Sequence, residues 1–541
     1  MDHETNIHSI RALERQIEEG QGDIIQLKRA RNSLLNISTR TPPEILGRIF
    51  AWSLVQEARR PAFARDFRGL QKGSYNFLLV CHHWFEVASR TPELWSFWGN
   101  TLQDWKQRHH RSRATPLNLV LYGDRSDPNV LFDESLQDAV RSRVIQGTIR
   151  QVHLMSDDGD TLTAIISSLT PDEGGQNKNI ESIVLGSWGL TSVDISNFFA
   201  RSHLSALRFL DLCGEFRISS WDHLASRTTL LTTLSLRIST SPPSPTLTAP
   251  QLFWILAGNP GLQELALSGA ALPDVVGGPM PKVLLRNLKI LSLKGGFRQL
   301  GLLDKLILPA PLDRIDLSGS DYTVEHASQI LAPYIRDYFR WDARFQDRLK
   351  VSTSTSLDSI SISASLARNS APEQEPPYVG FEVFLANQPP PDVLKQLFVE
   401  LIALIPRERV VYFIASPDLK LLEEPFLMMP NIGTLVVIGA ELSKGFLQPD
   451  PNGPNANEKL LLELSTLSLQ HITLDDDGWS SLKSYLYYQT TNLQTVSLEL
   501  VGEIPYMSPE EADEIEGLVD EFIRDEDPTT DADEQPYFNH L

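Results

Sequence analysis

Cysteine is nearly absent from this 541-residue sequence, which contains only Cys81 and Cys213. A disulfide framework is therefore excluded as the source of stability, and a reducing compartment fits this cysteine usage. Long apolar runs are missing too, because no window approaches the roughly 18 apolar residues of a membrane span. Residues 1–5 lack the charged-then-apolar pattern of a secretory signal, so we expect a cytoplasmic protein, a nuclear one, or both.

Signatures of catalysis and of cofactor binding are also absent. The sequence has no phosphate-binding Gly-rich loop, no dinucleotide fingerprint, no Gly-x-Ser-x-Gly and no His-Glu-x-x-His. His82 and His83 have no second Cys/His pair at zinc spacing, and the acidic turns at 157–160 and 475–478 lack the ligand pattern of a calcium loop. We therefore expect no enzyme, metal or cofactor, although a fold can carry a site that no motif records.

Basic residues are outnumbered, with 48 Lys and Arg against 69 Asp and Glu and a net charge of −21. This excess argues against general binding to nucleic acid. Residues 503–541 contain 14 acidic residues and one basic residue, Arg524, so they contribute 1 − 14 = −13. We expect an acidic tail over 506–541, in which apolar spacing predicts a helix from Pro509 to Arg524 that caps the folded body.

What is present at the start of the chain is helical patterning. Hydrophobic content of 41% and charged content of 22% are ordinary for a folded protein. Residues 1–36 carry heptad-like apolar positions that Gly20 interrupts, so they predict either a helix packed on the next domain or a short coiled coil that dimerises.

Residues 37–100 contain three apolar segments with helical spacing. Pro42 and Pro43 mark a helix start, because a first-turn proline loses no bonded N–H. Apolar residues then recur at three and four positions from Ile45 to Phe50 and again from Phe77 to Ala88. Thr91-Pro92 ends the second helix and begins a third. A core this small needs support from its own chain or from a partner.

The order Pro-Pro-Glu-Ile-Leu, Val-Cys-x-x-Trp and Thr-Pro-x-Leu-Trp resembles the F-box, in the form common among fungal F-box proteins. The match covers about one tenth of the chain. The resemblance implies a module that docks on the Skp-type adaptor of cullin–RING ubiquitin ligases. The residues that we expect to bind this adaptor are Pro43, Glu44, Ile45, Leu46, Ile49, Phe50, Leu79, Val80, Cys81, Trp84 and Trp95. Several of them must also form the core of the module, and the sequence does not divide the two roles.

Basic residues cluster again in the segment 101–115, from Lys106 to Arg113. We predict a linker helix that covers the join between the F-box-like domain and the rest of the chain. Binding of a phosphate group is the alternative, but no Gly-rich nest accompanies the cluster.

From residue 116 to 505 the sequence repeats a pattern of the form Leu-x-x-Leu-x-Leu, with Ile or Val as substitutes. Members begin at residues 149, 180, 207, 231, 262, 288, 312, 357, 432, 464 and 493, and Val410–Ile414 is a degenerate member. Most spacings fall near the leucine-rich-repeat range, and helix-like stretches lie between members, for example at 250–257, 393–405 and 479–488. An aromatic-rich helix is predicted between 326 and 345.

The fold class that follows is α/β, with an N-terminal helical F-box module and an irregular leucine-rich-repeat solenoid. Such a solenoid has a curved parallel sheet with outer helices. The resemblance implies a substrate receptor of a Skp–cullin–F-box ubiquitin ligase, whose repeats bind an unknown target protein, with no membrane partner. The alternative is a protein-binding scaffold with a drifted F-box, which Thr41 favours because the family usually has leucine before the first proline.

Overall fold

The computed structural model describes a little over half of the chain, as helices, strands and their nearer turns. The described residues are 41–59, 80, 82–98, 110–112, 115–123, 134–171, 179–187, 189, 191–239, 247–269, 271–274, 281–309, 312–322, 336, 349–355, 359–366, 378–385, 391–416, 429, 431–438, 441–442, 463–474, 476–491, 496–501 and 509–525. They belong to two compact units, Met1–Leu230 with Ser239–Pro245 and Leu231–Ile238 with Thr246–Leu541. The predicted helices in 1–36 and at 326–345 lie outside the described residues, apart from the helical Arg336.

The first unit begins with a helical module. Its elements are α1 (Pro43–Arg59), α2 (His82–Arg90) and a 3-10 helix, Pro92–Ser96. The backbone N–H groups of Ile45 and Leu46 both donate to Pro42 O, at 2.9 and 3.0 Å, so the prolines start α1 as the sequence predicts. The segment from Thr91 to Trp95 is the third helix, of 3-10 type.

Parallel strands follow in the same unit. The elements of the main sheet and its helices are β1 (Phe97–Trp98), β2 (Leu117–Gly123), α3 (Glu134–Ile145), β3 (Ile149–Ser156), α4 (Gly159–Leu169), β4 (Ser182–Ser187), α5 (Ser196–Arg201), β6 (Phe209–Gly214) and α6 (Asp222–Arg227). Strands β1, β2, β3, β4 and β6 pair in this order, each parallel to the next. The short β5 (Val193–Asp194) and β7 (Phe216–Arg217) form a separate parallel pair.

The second unit continues the same alternation. Its first part contains β8 (Thr233–Ile238), α7 (Ala249–Gly258), β9 (Glu264–Gly269), β10 (Val283–Leu284), β11 (Ile290–Gly296), α8 (Phe297–Leu300), a 3-10 helix at Gly301–Lys305, β12 (Leu306–Ile307) and β13 (Arg314–Tyr322). Strands β8, β9, β11 and β13 are parallel and in register, and β10 pairs with β12.

The second part of this unit ends the described chain. It contains β14 (Leu349–Thr355), β15 (Ser359–Leu366), β16 (Tyr378–Leu385), α9 (Pro391–Ile402), a 3-10 helix at Arg407–Arg409, β17 (Val410–Ser416), β18 (Thr434–Ile438), β19 (Glu441–Leu442), β20 (Thr466–Gln470), β21 (Thr473–Leu474), α10 (Asp476–Thr491), β22 (Ser497–Val501), α11 (Pro509–Glu516) and β23 (Glu521–Asp525). Strands β17, β18, β20, β22 and β23 are parallel, and β19 pairs with β21.

These elements confirm an α/β protein in which parallel strands alternate with helices, as in a leucine-rich-repeat-like solenoid. Leu210, Leu265, Leu291 and Leu467, which the pattern places at equivalent inward positions, are all fully buried. The helix-like stretches at 250–257, 393–405 and 479–488 correspond to α7, α9 and α10.

One predicted repeat forms a strand that is antiparallel to its neighbours, where the repeat pattern predicts a parallel strand. The member at 357–362 forms β15, which is antiparallel to both β14 and β16. The strands β14, β15 and β16 form a meander whose order across the sheet is the reverse of their order in the chain. As a result, β16 pairs with β13 and β14 pairs with β17. Because three strands alternate in direction, both outer strands of the meander point the same way as the repeat strands, and the parallel pairing resumes on either side.

The apolar side of the sheet stays continuous through this meander. Register pairs connect one row of buried side chains from β13 to β22. The members of the row are Ile315, Val379, Ala364, Val351, Phe413, Leu435, Leu467 and Leu498. The last predicted repeat is two residues early, because Leu498 and Leu500, rather than Val496 and Leu498, pair with Leu467 and Leu469.

The C-terminal helix is shorter than the sequence predicts. Helix α11 ends at Glu516, and residues 521–525 form a strand, so a helix that continues to Arg524 is wrong. The open edge of β22 offers unpaired backbone groups, and a strand satisfies them where a helix cannot. Ile515 of α11 is fully buried, so this helix still packs on the folded body.

Candidate functional site

The helical module has a small core that six side chains close. Leu46 and Phe50 of α1 pack with the buried Val87 and Ala88 of α2, and with Leu94 and Trp95 of the 3-10 helix. The ring of Trp84 lies 4.9 Å from that of Phe50, tilted by 56°. Gly47 lets α1 approach the turn after α2 closely, because a Cβ at this position would meet Thr91 Oγ1 at 2.6 Å.

Hydrogen bonds fix the third helix against the second. The indole Nε1 of Trp95 donates to Ala88 O at 3.0 Å, and Thr91 Oγ1 donates to Val87 O at 2.8 Å. The backbone N–H of Leu94 donates to Thr91 O. Buried indole N–H groups need such an acceptor, so this arrangement holds Trp95 in the core rather than at the surface.

The opposite side of α1 carries apolar side chains that nothing in the described chain covers. Ile45, Ile49 and Trp52 are 46%, 52% and 64% exposed. Their spacing of four and three residues places them in one stripe along the helix. Val80 and Phe85, next to and within α2, are about half exposed as well. We call Ile45, Ile49, Trp52, Val80 and Phe85 the apolar face of the module.

The structure thereby divides the predicted adaptor-binding residues into two groups. Pro43, Glu44, Ile45, Ile49 and Val80 are exposed, whereas Leu46, Phe50 and Trp95 are buried and Trp84 is partly buried in the core. Leu79 and Cys81 lie outside the described residues. An exposed residue can contact a partner directly, and a buried one can act only by holding the module together.

The adaptor-binding residues predicted from the sequence do not include Trp52 and Phe85, which belong to the apolar face. Trp52 follows Ile45 by seven residues, a spacing that continues the same helical stripe, so this signal was present in the sequence. Phe85 follows Trp84 directly and points to the other side of α2. Adjacent aromatic residues on a helix cannot share one face, which is the signal that distinguishes these two.

The module is joined to the first repeat strands by two arginines. The Arg111 guanidinium lies 4.3 Å from the centroid of the Trp95 ring, and that of Arg143 lies 5.6 Å from the Trp98 ring. Arg143 also donates to the buried Ser112 Oγ at 3.2 Å, and its burial lowers the pKa of its guanidinium. Residues 110–112, the described part of the basic cluster, thus contact both Trp95 of the helical module and Arg143 of α3.

The sheet provides a second candidate surface. Successive residues of a strand alternate between its two sides, so the positions between the buried leucines lie on one common side, which we call the polar face. Ala266 and Ser292 are register partners on this face and are half-buried. Ser468 lies on it too but is buried, and Gln470 Nε2 donates to its hydroxyl at 3.1 Å.

The alternative sites from the sequence have structural roles or no ligand geometry. Asp158, in the first acidic turn, is the N-cap of α4 and accepts from the N–H groups of Asp160 and Thr161. His82 is exposed and lies 3.9 Å from Glu86, one turn along α2. Over the described ranges, no three His, Cys, Asp or Glu side chains are grouped as a metal site would need.

Comparison with known proteins does not assign a family. Neither a protein-family model nor a curated protein matches the chain. Among the described helices, none combines the length and the apolar content that crossing a membrane requires.

Proposed function

We propose that this chain is the substrate-recognition subunit of a Skp–cullin–F-box type ubiquitin ligase. In this proposal the helical module binds a Skp-type adaptor and, through it, a cullin–RING ligase, while the polar face of the repeats binds a target protein. The chain itself supplies no catalytic group. It raises the rate of ubiquitin transfer by holding the target near the charged conjugating enzyme. Such a role belongs in the cytoplasm or the nucleus.

The apolar face of the module is the observation that carries this proposal. Among the described residues, Leu46, Phe50 and their partners on the other two helices form the core of the module, without Ile45, Ile49 or Trp52. Three large apolar side chains on one side of a helix are therefore available for a partner, and clustered exposed apolar residues mark interaction sites. We infer from the F-box resemblance of 41–98 that this partner is the adaptor.

A co-purification experiment tests the proposal. The tagged full chain is mixed with purified Skp-type adaptor, and bound adaptor is quantified for the wild type and for Ile49→Asp combined with Trp52→Asp. We expect the variant to lose the adaptor, because it would bury two unpaired carboxylates at an apolar interface. Both positions are exposed, so the variant should keep the melting temperature of the wild type.

Ile145→Asp and Trp254→Asp provide matched controls. Each is the same substitution at a residue that is 68% exposed but lies outside the helical module. These variants should retain the adaptor in full. If the Ile49/Trp52 variant retained as much adaptor as these controls, the apolar face would not be the adaptor-binding surface.

Thr41 favours a second candidate function, a protein-binding scaffold that recruits no ligase. In the family that the module resembles, leucine usually stands at this position and adds to the hydrophobic anchor. Here Thr41 is half-buried ahead of the two prolines. Absence of adaptor from the wild-type co-purification, with target binding by the repeats intact, would support the scaffold.

A further inference from the structure

Most charged side chains on the polar face of the second unit are engaged within the molecule. Lys294 Nζ lies 3.6 Å from Asp316 Oδ2. Ser497 Oγ lies 3.4 Å from Glu521 Oε2. Arg237, Glu264 and Arg314 also interact with other groups. These side chains therefore already have interaction partners in the free protein.

Lys350 and Glu499 differ from these residues. Both are half-buried on the same polar face, Lys350 on β14 and Glu499 on β22. The described chain offers neither of them an ion-pair partner of opposite charge. Among the described residues, the Lys350 ammonium contacts the ring of Tyr412, whose centroid is 4.7 Å away.

The described surroundings of Lys350 are rich in hydrogen-bond donors, and no carboxylate among the described side chains pairs with its ammonium. In the sheet register its neighbours are Ser365 on β15 and Tyr412 on β17, and Ser352 and Ser363 form the next pair. All four side chains are partly exposed, and their hydroxyls make no hydrogen bond within the described chain. The ammonium and the hydroxyls can all donate to one carboxylate, whose single negative charge the ammonium balances.

The charge of Glu499 affects the same region of the polar face from a strand farther along the sheet. Burial raises the pKa of Tyr412, and the negative charge of Glu499 raises it further, although three strand pairings separate β17 from β22. The register row of Tyr412 continues through Thr434, Thr466 and Ser497, and the row of Glu499 contains Ile414, Val436 and Ser468. A trough of short polar and β-branched side chains therefore lies between Lys350 and Glu499, two charges that have no ion-pair partner in the described chain.

We propose that this trough binds an extended segment of the target protein that carries one carboxylate for Lys350 and one Lys or Arg for Glu499. The inference rests on the proposed function, in which the repeats bind the target. A segment with two acidic or two basic groups at this spacing would place like charges together at one end and be rejected.

The sheet geometry sets the spacing of the two charges. Four strand pairings separate Lys350 from Ser497, two residues before Glu499. At about 4.8 Å per pairing and about 3.3 Å per residue of an extended segment, this distance corresponds to about six residues. Convergence of the side chains above the sheet shortens it, so we expect the acid and the base to be about four to six residues apart.

Selection from a random library of short displayed peptides tests this inference on the immobilised full chain. On the wild type, enriched peptides should carry an acid and a base at the expected spacing. On Lys350→Glu, a base should replace the acid; on Glu499→Lys, an acid should replace the base. Selection in high salt should abolish the preference, because partly exposed ion pairs are screened.

Lys282→Glu and Glu516→Lys are the matched controls, since both residues are exposed and lie outside the trough. They should retain the wild-type preference. The inference is overturned if the wild type enriches no peptide above background, if enriched peptides lack the charge pair, or if Lys350→Glu leaves the preference unchanged. Adaptor co-purification from the same preparations distinguishes failure of this inference from failure of the proposed function. A chain that retains the adaptor but shows no peptide preference refutes only the inference about the trough.

Discussion

Neighbouring residues of α1 have opposite roles in this protein. Ile49 and Phe50 are adjacent and equally apolar, yet Ile49 is 52% exposed and Phe50 only 3%. A helix turns about 100° per residue, so one position faces the core and the next faces away. The same contrast holds for Trp84 and Phe85 on α2.

This contrast predicts different costs of truncation. Phe50→Ala removes a ring that packs on Trp84 and should lower the free energy of unfolding of the module by about 3–5 kcal/mol. Ile49→Ala should change it by no more than about 0.5 kcal/mol. Urea denaturation followed by tryptophan fluorescence measures both variants. Equal destabilisation by the two substitutions would show that Ile49 belongs to the core.

The division could not be predicted from the sequence because both residues satisfy the same helical spacing. The apolar positions of α1 cover more than half of its circumference, and only the contacts with Val87, Leu94 and Trp95 show which part is inside. The existence and order of the three helices were nonetheless predictable, because the prolines at 42, 43 and 92 mark the starts of the first and third and apolar spacing marks the second.

Single elements of the repeat region follow the sequence pattern closely, with one exception. The alternation of leucines predicts β9, β11, β18 and β20 with their buried positions. The direction of β15 could not be predicted, because Ile360 and Ile362 alternate with serines equally well in a parallel or an antiparallel strand. Strand direction depends on the connections, here 356–358 and 367–377, which are too short for a helical crossover.

The last two elements predict how the C-terminus responds to truncation. Deletion of 526–541 should leave the melting temperature unchanged, since it removes neither α11 nor β23. Deletion of 509–541 should lower it, because it removes the buried Ile515 and leaves the edge of β22 unpaired. The Lys483–Glu514 contact at 2.8 Å would be lost as well. Equal melting temperatures of the two truncated chains would show that this end does not support the sheet.

At the scale of the whole molecule, the sequence indicates a helical module followed by repeats, and both are present. The fold class was predictable because a period of strand and helix recurs along most of the chain. The proposed surfaces were not, because they depend on which apolar or charged side chains remain without a partner after folding. Lys350 and Lys294 look alike in the sequence, and only the structure pairs the second one with Asp316.

Hydrogen exchange of the full chain, measured with and without purified Skp-type adaptor, is the most direct test that the apolar face recruits a ligase. We expect the adaptor to slow exchange in α1 and at 80–90, which carry Ile45, Ile49, Trp52, Val80 and Phe85, and to leave β9, β11 and β13 unchanged. Unchanged exchange in α1 at saturating adaptor, or slowing confined to the repeat strands, would contradict the proposal.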